Sequence, residues 1–211
     1  MVQVSAARVE RYREERERIL RAAFALMGRD ASTKVSVHEI LSEAGLSTRA
    51  FYRHFRSKDE IVVTMYRRAS ERLGAELSAA VATADGPAEA LEAWVRHYLA
   101  VAFDPRRSRQ ARLLASAEVR SVPGYDQVRE EQAGMHRTIL AEVIRSGRRA
   151  GVFPGADDPE EDARAVLSVI AGLIEARLAG ASTPDWAYAT AHTTDLFLRA
   201  FGAPARSSRP T

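Results

Sequence analysis

"SVHEILSEAGLSTRAFYRHFRSKDEI", Ser36 to Ile61, is the stretch on which the fold turns. Ser36-Val37-His38-Glu39 has the spacing of a capping box, in which the serine oxygen accepts from the Glu39 amide and the Glu39 carboxylate accepts from the Ser36 amide. The helix it opens ends at Ala44-Gly45, where glycine supplies the positive φ that closes a helix. Ser47 caps a second helix, Thr48 to about Phe55. Ser57-Lys58-Asp59-Glu60 repeats the capping-box spacing and opens a long helix to about Ala84. Helix, tight glycine turn, helix is the result.

Working outward, the residues from Val9 to Gly28 have helical period, with Ile19, Ala23, Leu26 and Met27 as the inward stripe and an Arg/Glu run facing water. Downstream, helices are expected at 87–103, 105–121, 124–149, 159–179 and 184–201. Four of these follow an X-Pro start, at Gly86-Pro87, Asp104-Pro105, Asp158-Pro159 and Thr183-Pro184, because proline in the first turn forfeits no hydrogen bond. No stretch alternates as a strand does, so the fold class is all-α. The expected domains are an N-terminal three-helix helix-turn-helix domain over 9–58, a C-terminal helical domain over 59–203, and a disordered tail over 204–211.

The composition narrows the chemistry. With 46% hydrophobic residues, the chain can fill a core without crosslinks. It contains no cysteine, which removes disulfides, thiolate metal sites and cysteine nucleophiles together. No run approaches the roughly 18 consecutive apolar residues of a membrane span, and no secretion signal is legible, so a cytoplasmic location without membrane contact is expected. His-Glu-x-x-His, a phosphate-cradling glycine loop and Gly-x-Ser-x-Gly are all missing, and the five histidines lack metal spacing. The sequence therefore points to no enzyme, no metal and no cofactor.

Charge is unevenly divided. Residues 1–58 hold 12 Lys+Arg against 7 Asp+Glu, a net of +5, which leaves −2 for residues 59–211 out of a total of +3. A basic module on a mildly acidic body suits a polyanion partner. In a helix-turn-helix the second helix enters the major groove of double-stranded DNA. Phe51 and Phe55, four apart, fall on one face as anchors, leaving Arg49, Tyr52, Arg53 and His54 around the others. Thr48, Arg49 and Arg53 are placed for base edges; Tyr52, His54, Lys58 and Ser36 for phosphates. With Ala50 the expected DNA-contact set is Ser36, Thr48, Arg49, Ala50, Tyr52, Arg53, His54 and Lys58. A merely solvated face accounts for the arginines, but poorly for a tyrosine and a histidine between them on so short a helix.

The same residues resemble the N-terminal DNA-binding signature of TetR-type transcriptional regulators, at Ser36-Val37, Ile40, Ala44-Gly45, Ser47, Tyr52, Phe55 and Lys58. Leu41, Leu46 and Phe51 depart from the usual pattern by apolar exchanges. The sharp resemblance covers roughly residues 15–66, and the number and order of helices extend it loosely to 201. It implies a homodimeric repressor, less often an activator, whose C-terminal domain dimerises and binds a small-molecule effector. The helices near 159–179 and 184–201 suit the dimer. The first is apolar on more than one face, with Ala171-Gly172 permitting close approach, and Trp186, Ala189, Thr193, Phe197 and Ala200 stripe the second. A ligand pocket, if the resemblance holds, involves Trp94, His97, Tyr98, Arg112, Glu118, Met135 and His136. Two rivals remain open at this stage: a helical adaptor that binds protein, and an enzyme with a concealed site.

Overall fold

The structure, a computed structural model, describes residues 2–30, 33–182 and 184–203. The tail expected at 204–211 lies outside the described residues. Ten helices and no strand occur among them: α1 (Val2–Asp30), α2 (Val37–Ala44), α3 (Thr48–His54), α4 (Lys58–Ala82), α5 (Pro87–Phe103), α6 (Pro105–Leu114), α7 (Ala117–Arg120), α8 (Tyr125–Arg149), α9 (Pro159–Leu178) and α10 (Trp186–Ala200).

The chain forms two compact units, residues 1–69 with 109–129, and residues 70–108 with 130–211. In the first unit, Ile19, Ala23 and Met27 of α1 meet Ile40, Leu41 and Ala44 of α2, Phe51 and Phe55, and Ile61, Val62 and Met65 of α4. Leu113, Leu114, Val119 and Tyr125 complete that core from far along the sequence. The unit is therefore larger than the 9–58 segment, because the apolar face of the three-helix motif needs these later side chains to cover it. In the second unit, Leu77, Leu91, Trp94, Val95 and Leu99 pack with Leu140, Ile144, Val166, Ile170, Phe197 and Leu198.

Local chemistry explains where the elements differ from the sequence expectation. α1 begins at Val2 instead of Val9; the added residues include no proline or glycine to stop a helix. The helix expected at 105–121 breaks after Leu114, since the Ser116 side chain accepts from Val119 N at 3.3 Å and starts a new turn. α10 starts at Trp186, not at Pro184, because Asp185 is the cap and accepts from Tyr188 N at 2.9 Å. The second capping box forms by half: Ser57 Oγ accepts from Glu60 N, while the Glu60 carboxylate takes Arg56 N at 2.7 Å.

Candidate nucleic-acid interface

The first capping box forms in full: Ser36 Oγ accepts from Glu39 N at 3.2 Å, and Glu39 Oε2 accepts from Ser36 N at 2.7 Å. These bonds to the charged form hold the Glu39 carboxyl below its usual range. α2 closes on Gly45 at φ 61, ψ 42. Gly45 N donates to Ser42 O at 3.2 Å and Leu46 N to Leu41 O at 3.0 Å, the paired bonds of a Schellman closure. Arg18 of α1 caps the same end, donating from Nη2 to Ala44 O at 2.6 Å and to Gly45 O at 3.1 Å. The turn that sets the angle between α2 and α3 is thus fixed both by backbone bonds and by a guanidinium.

Ser47 opens α3 by accepting from Ala50 N at 3.3 Å. Phe51 and Phe55 are each 1% exposed, with ring centroids 6.1 Å apart, and Arg16 lies over the Phe55 ring at 5.1 Å. Burial of two phenyl rings contributes roughly 3–6 kcal/mol of transfer energy, which anchors a helix of only 7 residues. With that face inward, Thr48, Arg49, Tyr52 and Arg53 are exposed on the other side. Tyr52 is 65% exposed and offers its hydroxyl outward from the middle of the helix.

Two members of the expected contact set point inward. Ala50 is buried, and His54 has a side chain with 0% exposure. His54 Nε2 donates to Glu15 Oε2 at 2.9 Å, and Tyr12 packs on the imidazole at 4.2 Å between centroids. The sequence places His54 three residues after Phe51, about 60° around the helix from it, so a neighbour on that side buries it. The neighbour is α1 at residues 12–15, part of the Arg/Glu run that the periodicity turned toward water.

Two others have partners inside the protein. Lys58 Nζ donates to Thr33 O at 2.8 Å, and Ser36 is engaged in its capping box. Arg53 donates from Nη2 to Glu15 Oε2 at 2.5 Å. The His54 hydrogen bond, followed by the contacts of Arg53, draws the Glu15 carboxyl below the usual carboxylate range against the opposing effect of its burial.

The residues expected at a ligand site are divided. Trp94, Tyr98 and His136 come together in the second unit: Trp94 stacks on Tyr98 at 4.8 Å, and Tyr98 meets His136 edge-on at 5.5 Å. His136 Nε2 donates to Ser70 O at 2.9 Å, so its Nδ1 is free to accept from Tyr98 Oη at 3.4 Å. Burial pushes the His136 pKa down, only partly offset by the bond to Ser70. Trp94 Nε1 is buried without a hydrogen-bond partner. His97 Nδ1 bonds to Ala93 O of its own helix at 2.8 Å, and Met135 is exposed. Arg112 and Glu118 belong to the first unit, where the Glu118 carboxylate accepts from Thr33 N and Thr33 Oγ1 at 2.9 and 2.8 Å. The sequence reading missed Glu15 and Tyr12; their signal is the i, i+3 spacing on an α1 face that runs on to Arg18.

Among the described residues, no group of three or more His, Cys, Asp or Glu is placed to hold a metal, and no helix is long and apolar enough to cross a membrane.

Comparison with known proteins locates the same segment. Residues 19–65 match the profile of bacterial regulatory proteins of the tetR family. The HTH-type transcriptional regulator BetI of Brucella suis is 32% identical over 78 residues, which span 37% of this chain and 39% of that protein. The match thus covers well under two thirds of the curated relative. A transcriptional regulator from Rhodococcus sp. Rha1 is 27% identical, with a TM-score of 0.70 over 91% of this chain and 99% of its own. A Saccharomonospora viridis structure solved in complex with choline is 25% identical, with a TM-score of 0.72 over 86% of this chain and 94% of its own.

Proposed function

We propose that this chain, which belongs to the TetR family of DNA-binding transcriptional regulators, represses transcription as a homodimer on a pseudo-palindromic operator and is released by a small-molecule effector. The observation that carries this reading is the outward face of α3, where Thr48, Arg49, Tyr52 and Arg53 stand exposed on a helix anchored by two buried phenylalanines. An arginine on such a face makes a bidentate fork to guanine, worth roughly 1–3 kcal/mol of discrimination.

One short recognition helix gives modest affinity, so two copies spaced by about one DNA turn, roughly 34–36 Å, are the usual solution. The outer faces of α9 and α10 support pairing. Ala165, Val169, Gly172, Leu173 and Ala176 form an exposed apolar stripe at helical spacing on α9, and nothing lies within 4 Å of a side chain built at Gly172. On α10, Leu196 and Tyr188 are exposed, whereas Thr193 and Phe197 of the expected stripe face the core.

The Trp94, Tyr98 and His136 cluster is the proposed effector site, since a buried indole N–H without a partner beside stacked aromatic faces suits a mostly apolar ligand with a few polar contacts. Small-molecule binding by the Saccharomonospora viridis neighbour is consistent with such a role. The effector acts through unequal affinity for two arrangements of the protein, moving α4 as a lever. The protein works in the cytoplasm, where operator and metabolites are present.

Selection of bound sequences from random duplex DNA, repeated with a panel of metabolites, tests this. The expected result is a two-fold symmetric site, bound ever more weakly as salt rises through counterion release, and vacated with at least one metabolite. A purified protein that enriches no sequence at low salt would refute the reading, and salt-insensitive capture of a protein would point to an adaptor.

A further inference from the structure

We infer that Glu15 is a specificity-determining positioning residue: its carboxylate fixes the Arg53 guanidinium on the outward side of α3 and thereby sets the base that this arginine selects. The inference rests on the reading of α3 as the recognition helix. Glu15 lies before residues 19–65, so the family match assigns it nothing.

The geometry is that of a buttress. Glu15 Oε2 accepts from Arg53 Nη2 at 2.5 Å and from His54 Nε2 at 2.9 Å. Exposure grades across the three side chains: 0% for His54, 16% for Glu15 and 51% for Arg53. The carboxylate is therefore recessed while the guanidinium it holds stands at the surface. His54, buried and packed at a tilt against Tyr12, fixes the carboxylate from behind. Tyr12 Oη also donates to Arg53 O at 3.4 Å, so α1 grips both the backbone and the side chain of this residue.

Chemistry decides what the buttress leaves available. A guanidinium has five N–H donors arranged along two edges, and whichever Nη2 hydrogen Glu15 takes, one two-donor edge remains. That edge matches O6 and N7 of guanine. An arginine held in advance loses less freedom on binding than one free to rotate, and it presents the fork in one direction only. A carboxylate beside a DNA-facing helix repels phosphate and so weakens binding to every duplex. It is held in the ionised form by two donors, so its contribution lies in selection, not in attraction.

The test uses the full chain, with wild type, Glu15→Gln, Arg53→Ala and the double variant, each titrated with the selected duplex and with duplexes changed at single base pairs. Glu15→Gln is expected to lose about tenfold preference at one position per half-site, the value of a bidentate contact, with affinity for unrelated DNA equal or higher. Arg53→Ala is expected to lose preference at the same position, and the double variant to lose no more than Arg53→Ala alone. Wild-type preference in Glu15→Gln, an equal loss on every sequence, or a Glu15→Gln effect that persists in the Arg53→Ala background would overturn the inference. Should Glu15→Gln lose helicity by circular dichroism, Glu15→Asp replaces it, with the same relaxed position expected and unchanged preference overturning the idea. If wild type itself selects no sequence, the recognition-helix reading has failed first, and the two failures are distinguishable.

Discussion

Replacing Gly45 by alanine isolates what the turn between α2 and α3 requires. At φ 61, ψ 42 an L-residue occupies the left-handed region, at a cost of roughly 1–2 kcal/mol. A Cβ there would also lie 3.0 Å from Arg18 Nη2. Arg18 would have to withdraw from Ala44 O and Gly45 O, which it bonds at 2.6 and 3.1 Å. Loss or lengthening of those bonds adds about 1 kcal/mol, and the stiffer unfolded chain returns roughly 0.4–1 kcal/mol. The net is about 2 kcal/mol of destabilisation. Gly28 supplies the opposite case: it lies in α1 with nothing within 4 Å of a built Cβ, so Gly28→Ala should stabilise by about 0.5–1 kcal/mol. Urea unfolding followed by circular dichroism reads both, with the Gly45→Ala midpoint shifted down by about 1 M and that of Gly28→Ala shifted up. Gly45→Asn should fall between wild type and alanine, because asparagine tolerates this region. A Gly45→Ala midpoint at or above wild type, or an asparagine variant as unstable as alanine, would refute the reasoning.

Lys58 gives one ammonium N–H to Thr33 O and keeps the others for a phosphate, so Lys58→Ala should weaken binding to all duplexes alike and reduce the slope of log affinity against log salt by about 1, as fluorescence anisotropy over a salt series would show; a loss confined to one base pair would contradict this. Gly147→Ala would put a Cβ 2.0 Å from Phe153 Cδ2, so overpacking of roughly 1–3 kcal/mol exceeds the helix-propensity gain of about 1 kcal/mol, and thermal melting should shift down. The Tyr125 hydroxyl donates to Leu114 O at 3.0 Å, and burial pushes its pKa up to about 12. The folded form therefore retains a proton that the unfolded form loses near pH 10, so stability is fully present below about pH 10 and falls by roughly 2 kcal/mol between about pH 10 and 12. Tyr125→Phe should flatten that alkaline decline in denaturant titrations at stepped pH.

What could be read from residues alone was whatever depends on neighbours in sequence. Ser36 with Glu39, Gly45, and Ser47 act within a turn of themselves, so α2 and α3 begin and end where their caps indicate. Phe51 and Phe55 announce the buried face by their spacing. The legibility ends where a distant segment intervenes. His54 sits on the flank of α3, beside the Phe51 face, and only Tyr12 and Glu15 of α1 turn it into a buried group. Ser116 and Asp185 open helices through their bonds to Val119 N and Tyr188 N, starts that the sequence reading passed over in favour of one unbroken helix from Pro105 and a start at Pro184. Glu118, expected at a ligand pocket, instead secures Thr33 across 85 residues of sequence, a pairing that no local pattern encodes.

The scattered origin of the first core bears on anyone who wishes to excise or transplant the reading head. Trimmed to residues 19–65, it would forfeit Tyr12, Glu15 and Arg18, and with them the hold on both ends of α3's setting. Severed after residue 69, it would expose the apolar surface that Leu113, Leu114, Val119 and Tyr125 now cover. A chimera built from this regulator therefore has to carry a discontinuous cassette, with the second segment either supplied in trans or spliced back by a linker.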